Sequence, residues 1–332
     1  MNKFWVLALL SFFIIRCKQA SEDTPLDCSG NCTCIPLVSE DSTGAERFHA
    51  GRGALLATRF SSFEALKSVI QIEYGGTVNP DSTAGENCFV RLRHCSNGRE
   101  VVNILTTGIS QGDILKAKYH GTIWDRFSFV FRCPYAIRNR KDLQKAFYLS
   151  RWSPELFGEG DPAFFDIAKS SVENINTLDF AIRNVRDTTE KGYLNSFNHI
   201  TAQAFITSCF TEELADFIGD AHERYRHPEL ITGKFTEAQI EDLGEGPVDN
   251  YVDLINNEWG QEIGKQLKEK YQITDATNWT PALMANYLND LQSYYSWAFQ
   301  IGFKPYRPED EIVLRFSSKL GAIMKGRLNS IK

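Results

Sequence analysis

The chain has 332 residues, of which 42% are hydrophobic and 12% are aromatic, and its formal net charge is −6. This length favours two domains, each with its own hydrophobic core. An acidic chain without a large cluster of Lys and Arg does not offer the positive surface that phosphate groups require, so the composition argues against nucleic acid as a partner. The densest basic run, Arg138 to Lys141, is typical of a solvated surface turn.

Residues 1–17 have the pattern of an export signal. An apolar run from Phe4 to Ile15 follows Lys3, and it is shorter than the about 20 residues that a membrane-spanning helix needs. Cys17 comes directly after the apolar run, as in a bacterial lipoprotein signal, although Arg16 stands where a small residue is usual. We therefore predict export to the cell envelope and a membrane anchor through lipid on Cys17. The alternative is secretion after cleavage near Ala20.

The remaining cysteines agree with an oxidising compartment. Six of them lie in the first half of the chain: Cys28, Cys32, Cys34, Cys88, Cys95 and Cys133. An even number in an exported chain predicts up to three disulfides. The alternative, a metal site built from the first three, has a C-x3-C-x-C spacing that is not a standard zinc motif. The seventh, Cys209, lies in an apolar helical run and is predicted to be a buried free thiol.

The N-terminal half predicts a tether and then a small α+β domain. Residues 18–45 are polar and contain few apolar side chains, which is typical of an irregular spacer. Residues 46–140 are predicted to form a domain with a small antiparallel sheet. In that domain Ser61, three residues before Glu64, predicts a capped helix.

Two kinds of strand signal define the predicted sheet. Apolar runs on either side of Asn97-Gly98 predict a hairpin. The run from Phe127 to Cys133 is predicted to be a strand that ends at Pro134. His94 and His120 have no partner at ligand spacing, so we expect structural or exposed histidines.

The C-terminal half predicts helices. Residues 141–190 are interpreted as connecting helices, and residues 191–332 as an α-helical bundle domain. The predicted bundle helices span 195–210, 211–227, 247–271, 282–303 and 309–328. Thr211, Thr236 and Thr280 are the predicted N-caps.

The helix predicted from Pro247 to Tyr271 carries two stripes about 100° apart. One is apolar and consists of Val252, Ile255, Trp259, Ile263 and Leu267. The other is polar and consists of Asp249, Asp253, Asn256, Asn257, Gly260 and Gly264. The two glycines predict that a second helix approaches this backbone closely, and the helices that carry His199 and His222 are the expected neighbours.

At these segments the chain resembles a family of uncharacterised bacterial helical domains, which are often secreted or carried on larger secreted proteins. The recurring pattern of that family is close to N-A-F-R-H, then A-H-E, then M-D-L-x-N-N-x-x-G-R-x-I-G. The matching segments are Asn195-Ser-Phe-Asn-His199, Ala221-His-Glu223 and Val252-Asp-Leu-Ile-Asn-Asn-Glu-Trp-Gly-Gln-Glu-Ile-Gly264. The resemblance covers about residues 190–270.

The resemblance implies an all-helical bundle and a set of polar positions, without implying a reaction. The positions that carry over are Asn195, Phe197, His199, Ala221, His222, Glu223, Asp253, Leu254, Asn256, Asn257, Gly260, Ile263 and Gly264. Asn198 and Gln261 stand where the family has Arg, so the ionic roles of those arginines do not carry over.

Three interpretations of the polar positions follow from the sequence. The first is a buried structural network, in which the side chains satisfy one another and fix the arrangement of three helices. The second is a hydrolytic site, whose predicted catalytic residues are His199, His222, Glu223 and Asp253. In a metal-dependent version His199, His222 and Asp253 would hold a divalent cation.

The third interpretation is a binding module at the cell surface. Its predicted binding residues are Asn195, Asn256, Asn257 and Gly260. A cleft between the first domain and the bundle would hold a peptide, a glycan or a partner protein. The chain has no nucleophile-elbow, phosphate-loop or dinucleotide-binding motif that would favour a known enzyme class.

Overall fold

The computed structural model of the chain describes residues 53–76, 88–96, 99–176 and 190–326. The predicted export signal, Cys17 and the tether lie outside the described residues. So do the Asn97-Gly98 turn and a connecting helix predicted at residues 178–185. No helix in the described ranges is both long enough and apolar enough to cross a bilayer.

The described fold begins with a small antiparallel sheet. Strands β1 (Gln71–Gly75), β2 (Phe89–Ser96) and β3 (Arg99–Thr106) lie side by side in that order. The register places Ile72 opposite Leu92 and His94 opposite Val101. The predicted hairpin is therefore confirmed as β2 and β3, and the predicted α+β class is confirmed by the helices that follow.

Helices form the rest of the described chain. Short helices come first: α1 (Phe63–Lys67), α2 (Gln111–Leu115), α3 (Ile123–Arg132), α4 (Pro134–Arg138), α5 (Arg140–Leu149), α6 (Pro154–Phe157) and α7 (Phe164–Glu173). The bundle follows with α8 (Asn195–Cys209), α9 (Glu212–Arg226), α10 (Glu229–Thr232), α11 (Glu237–Glu241), α12 (Pro247–Lys270), α13 (Pro281–Phe299) and α14 (Glu311–Met324). Single turns lie at Ala57–Arg59, Lys116–His120 and Glu190–Leu194.

The caps explain where several helices begin. Thr211, Thr236 and Thr280 each accept a hydrogen bond from a backbone N–H three residues later, as predicted. The predicted N-cap of α1, Ser61, is wrong by one residue. Ser62, and not Ser61, accepts from the backbone N–H of Ala65.

The predicted strand from Phe127 to Cys133 is wrong, because these residues belong to α3. Thr122 and Asp125 form a reciprocal capping box at the start of this helix. The apolar side chains recur at helical spacing, so they line one side of the helix, whereas alternation along a strand would divide them between two faces. Phe129 is the buried residue of α3, and most of the other large side chains are exposed.

The predicted free thiol is confirmed, and the predicted maximum of three disulfides is too high. Cys209 is a buried free thiol on α8, as predicted. Cys88 and Cys133 are also buried free thiols, which leaves at most two disulfides among the six cysteines of the first half, and Cys95 is disulfide-bonded. Burial raises the pKa of the Cys133 and Cys209 thiols, because the charged form is unfavourable among apolar side chains.

The sheet and the bundle share one hydrophobic core. Side chains of β2 and of the segment at Leu55 and Leu56 belong to the same buried cluster as α8, α12, α13 and α14. Aromatic rings fill much of it, and the Phe197 and Tyr295 rings stack with their centroids 4.0 Å apart. These contacts fix the position of α8 between α12 and α13.

The α8–α12 contact depends on two glycines of α12, as predicted. A Cβ atom at Gly260 would lie 2.8 Å from the carbonyl oxygen of Ile200, and one at Gly264 would lie 2.6 Å from the carbonyl oxygen of Ala204. Both obstacles are backbone atoms of α8, which cannot turn away as a side chain can. The two backbones therefore touch, and the polar stripe of α12 is buried under α8 and α9.

We expect Gly264→Ala to destabilise the protein by about 2 kcal/mol, because overpacking against backbone outweighs the gain in helix propensity. Gly321→Ala on α14 is the matched control, since no atom lies within 4 Å of its Cβ position. That control should stabilise the protein by up to about 1 kcal/mol. Urea denaturation measures both, and equal effects of the two substitutions would contradict the close α8–α12 contact.

Candidate functional site

A cavity of about 340 Å³ lies between the bundle and the helices that precede it. Its walls come from α2, α5, α8 and α9, and most of them are apolar. The apolar lining residues include Ile114, Leu143, Phe164, Ala202, Ile206, Phe217 and Ile218. Polar lining residues come from four different helices: Gln111, Asn198, His199, Gln203, His222, Glu223 and Asn257. Ser150 and Arg151, directly after α5, also line the cavity. The cavity therefore combines an apolar wall with a group of polar side chains, which we call the polar end.

His199 connects the polar end to the stripe on α12. Its Nδ1 lies 2.9 Å from Oδ1 of Asn257 and donates to it, and its Nε2 lies 3.3 Å from Oδ2 of Asp253. Burial lowers the pKa of His199, so the ring is neutral at neutral pH. A neutral ring that donates from Nδ1 carries its lone pair on Nε2. That lone pair accepts a hydrogen bond from the Asp253 carboxyl when the acid is protonated.

Asp253 is held from its other side by Asn195. The Asn195 amide donates to Oδ1 of Asp253 at 2.9 Å and lies 3.4 Å from Oδ1 of Asp249. Burial raises the pKa of Asp253 to about 7, and the hydrogen bond from Asn195 opposes part of that rise. The structure thus brings Asn195, His199, Asp253 and Asn257 into one hydrogen-bonded chain.

Glu223 is the incompletely satisfied member of the group. Its side chain is 1% exposed, and its Oε1 is buried without a hydrogen-bond partner. Burial raises the pKa of Glu223 well above its usual value, and the nearby Asp253 and Asp220 raise it further, while a hydrogen bond with Asn257 lowers it. At neutral pH Glu223 is therefore a neutral acid with an unused polar atom.

His222 lies beside this acid on the same helix. Its Nδ1 is 3.1 Å from Oε1 of Gln111, and its ring centroid is 6.4 Å from that of His199. Burial lowers the pKa of His222 to about 4, with smaller contributions from neighbouring cationic groups. Both histidines at the polar end are therefore neutral.

Asn256 and Gly260, which were predicted to bind a ligand, lie at helix contacts instead. Asn256 accepts from the backbone N–H of Leu55 at 2.9 Å and donates to the Leu55 carbonyl at 3.0 Å and to Ser196 at 3.2 Å. Gly260 faces the α8 backbone. Neither residue lines the cavity, so their positions match a structural role.

The residues predicted to hold a metal do not form a metal site. Within the described ranges, no three His, Cys, Asp or Glu side chains come together as ligands of one ion. Both ring nitrogens of His199 face protein groups, and Nδ1 of His222 faces Gln111. The donor set therefore does not fit a divalent cation.

Two neutral amides, Gln261 and Asn198, lie at or next to the cavity. Gln261 is buried and donates to Oε1 of Gln203 at 3.2 Å, and Gln203 lines the cavity. Asn198 lines the cavity as well. Neutral amides thus contribute hydrogen-bonding groups to this part of the cavity wall.

Sequence reasoning missed Gln111 and Gln203 as site residues. Gln203 is on α8, four residues after His199, and its helical spacing could have indicated it. Gln111 is 111 residues from His222 in sequence, and no sequence signal connects them.

A larger cleft of about 710 Å³ lies between β3 and the helices α12 and α13. This is the position predicted for a cleft between sheet and bundle. Its lining includes Trp259, Tyr294 and Trp297, together with Glu258, whose pKa burial raises to about 8. None of the predicted site residues lines it.

Comparison of the chain with models of known protein families, with curated proteins and with solved structures finds no match. The geometry of the cavity and its polar end is therefore the evidence for function.

We expect Asn256→Ala to destabilise the protein by about 2–4 kcal/mol, because it leaves the buried N–H of Leu55 without an acceptor. Asn250→Ala on the same helix is the control. The Nδ2 atom of Asn250 is buried without a partner, so its removal should cost less than about 1 kcal/mol. Comparable losses in denaturant unfolding would show that Asn256 does not hold the Leu55 segment.

The raised pKa of Asp253 predicts a pH-dependent stability. An acid whose folded pKa of about 7 exceeds its unfolded pKa of about 3.8 stabilises the fold at low pH, and this contribution is lost as pH rises towards 7. Relative to Asp253→Asn, which cannot ionise, the wild type should lose about 2 kcal/mol between pH 5 and pH 8. Parallel stability curves for the two proteins would show that Asp253 ionises freely in the fold.

Proposed function

We propose that this chain is an exported binding protein whose helical bundle takes up a small, mainly apolar molecule in the cavity of about 340 Å³. The export part of the proposal rests on the sequence pattern of residues 1–17. The volume lies in the usual range for small-molecule sites, about 300–1,000 Å³. Such sites combine apolar walls with a few polar groups that orient the ligand, and this cavity has both features.

The observation that carries the proposal is the unpartnered oxygen of Glu223. A structural network would satisfy its own buried polar atoms, because each unsatisfied one costs about 1–3 kcal/mol. Oε1 of Glu223 is buried and has no partner, and Glu223 lines the cavity. A ligand with a hydrogen-bonding group at this point would remove that cost.

The protonation states indicate the kind of head group that fits. Glu223 is a neutral acid, and His199 and His222 are neutral rings, so these buried groups offer hydrogen bonds without a charge. The cation that lines the cavity, Arg151, is exposed, and its guanidinium lies over the Phe147 ring. An ionised head group would lose its hydration without gaining a counter-charge there. The best ligand therefore has an apolar body and an uncharged acceptor, such as a ketone, an ester or an amide carbonyl.

The acid–base hydrolase is the less supported alternative. Both ring nitrogens of His199 face protein groups. With its pKa lowered to about 4, His222 is a weak general base near neutral pH. The geometry thus favours recognition over proton transfer.

Prodan, an uncharged naphthyl ketone whose emission shifts to shorter wavelength in apolar surroundings, is a suitable probe. We expect the full chain to bind it with a stoichiometry of one. Ala202→Phe, which places a ring inside the cavity, should abolish binding. Glu223→Leu should weaken it about tenfold through loss of one hydrogen bond to the carbonyl, whereas Glu223→Gln, which keeps a donor, should bind within a few-fold of the wild type.

Glu262→Gln is the control for a Glu substitution outside the cavity, because Glu262 lines the larger cleft and not this cavity. It should bind prodan as the wild type does. Undiminished binding by Ala202→Phe would place the probe elsewhere and contradict the proposal. Circular dichroism of each variant confirms that the helices are intact.

A further inference from the structure

Helix α3 presents an unusually apolar face to solvent. Five of its ten residues are large hydrophobic side chains that are exposed: Ile123, Trp124, Phe127, Val130 and Phe131. Ile123 is 81% exposed, Trp124 77% and Phe131 70%. At about 100° per residue these five side chains cover an arc of about 120° on one side of the helix. We call this arc the α3 face.

The exposure of the α3 face is a consequence of how α3 packs. Phe129 points away from the face and is buried in a small cluster with Ile109, Cys133 and Ala136. Ile114 and Phe217 pack against the same cluster and also line the cavity. Helix α3 thus packs on the fold through the side that carries Phe129, and the α3 face is exposed within the described fold.

The sequence on either side of α3 carries an excess of positive charge. Residues 111–149 contain eight Lys and Arg residues and three Asp residues, a net charge of +5 in a chain whose net charge is −6. All three acids are in ion pairs: Asp113 with Arg132, Asp125 with Lys116, and Asp142 with Lys145. The remaining cations are Lys118, Arg126, Arg138, Arg140 and Lys141.

We propose that the α3 face docks on an anionic phospholipid bilayer, with α3 lying in the plane of the interface. Amphipathic helices that bind membranes in this way place Trp and Phe on one side and Lys and Arg around it. The concentration of positive charge in an otherwise acidic chain complements an anionic lipid surface. Ten residues are too few to cross the bilayer, so the helix lies on the surface.

A membrane fits this face better than a second protein does. The exposed side chains form a convex helical stripe, whereas specific protein interfaces require a partner of complementary shape. The net charge of +5 sets this region apart from the rest of the acidic chain, which favours an extended anionic surface over a second copy. The proposal is independent of ligand binding in the cavity.

Vesicle flotation tests the proposal on the chain without residues 1–17, so that neither the apolar run from Phe4 to Ile15 nor lipid at position 17 can bind the bilayer. We expect this protein to float with vesicles of phosphatidylglycerol and phosphatidylcholine. Pure phosphatidylcholine should capture much less of it, and added salt should weaken binding to the anionic vesicles. The combined variant Trp124→Ser, Phe127→Ser and Phe131→Ser should lower the partition coefficient at least about tenfold.

A second variant isolates the charge. Lys118→Gln with Arg126→Gln and Arg140→Gln should reduce binding to anionic vesicles and leave the weak binding to neutral vesicles unchanged. Leu314→Ser with Ile240→Ser removes exposed apolar side chains from α14 and α11, and this control should float as the parent protein does.

Three outcomes would overturn the proposal. Flotation of the aromatic variant at the parent level would assign binding to another part of the chain. No flotation of the parent protein would show that the face does not bind bilayers. A dimer that light scattering detects in the parent and not in the aromatic variant, without vesicle binding, would identify a second copy as the occupant.

Discussion

The close contact of α8 with α12 is the constraint on which the rest of this structure depends. Gly260 and Gly264 bring the two backbones within touching distance. That approach places His199 of α8 beside Asp253 and Asn257 of α12. It also buries a polar stripe that would otherwise face water, so each polar atom in it needs a partner within the protein or from a ligand.

Most of those polar atoms have partners within the protein. The identity of each partner distinguishes the residues that hold the fold together from the residues of the polar end. Asn256 directs its hydrogen bonds into the backbone of Leu55 and the Ser196 hydroxyl, which fixes the entry of the chain into the fold. Asn257, one residue further round the helix, instead connects His199 with Glu223 at the polar end. The adjacent Asn256 and Asn257 therefore have different roles, the first at the Leu55 segment and the second at the polar end. Within the polar end, Glu223 has a buried carboxyl oxygen without a hydrogen-bond partner, and Glu223 also lines the cavity.

Helical periodicity made much of this arrangement predictable. The two stripes of α12 and the need for a neighbouring helix at Gly260 and Gly264 follow from the 3.6-residue repeat. The α3 helix was missed because Phe127, Phe129 and Phe131 alternate as in a strand, although the Thr122 and Asp125 capping box marked a helix start. The cavity could not be predicted from the sequence, because its walls combine α2 and α5 with α8 and α9, which are distant from them in the chain. The unpartnered oxygen of Glu223 depends on the same long-range packing.

The central claim is that the polar cluster is a binding site and not a self-sufficient network. The free energy of unfolding of Glu223→Leu without added ligand tests this claim most directly. If Glu223 is retained for a ligand, replacing it by an apolar side chain of similar size removes a buried unsatisfied oxygen and the hydrogen bond to Asn257. The two effects oppose each other, so the variant should be as stable as the wild type within about 1 kcal/mol. A loss of about 3 kcal/mol or more would show that Glu223 completes a structural network and would contradict the account.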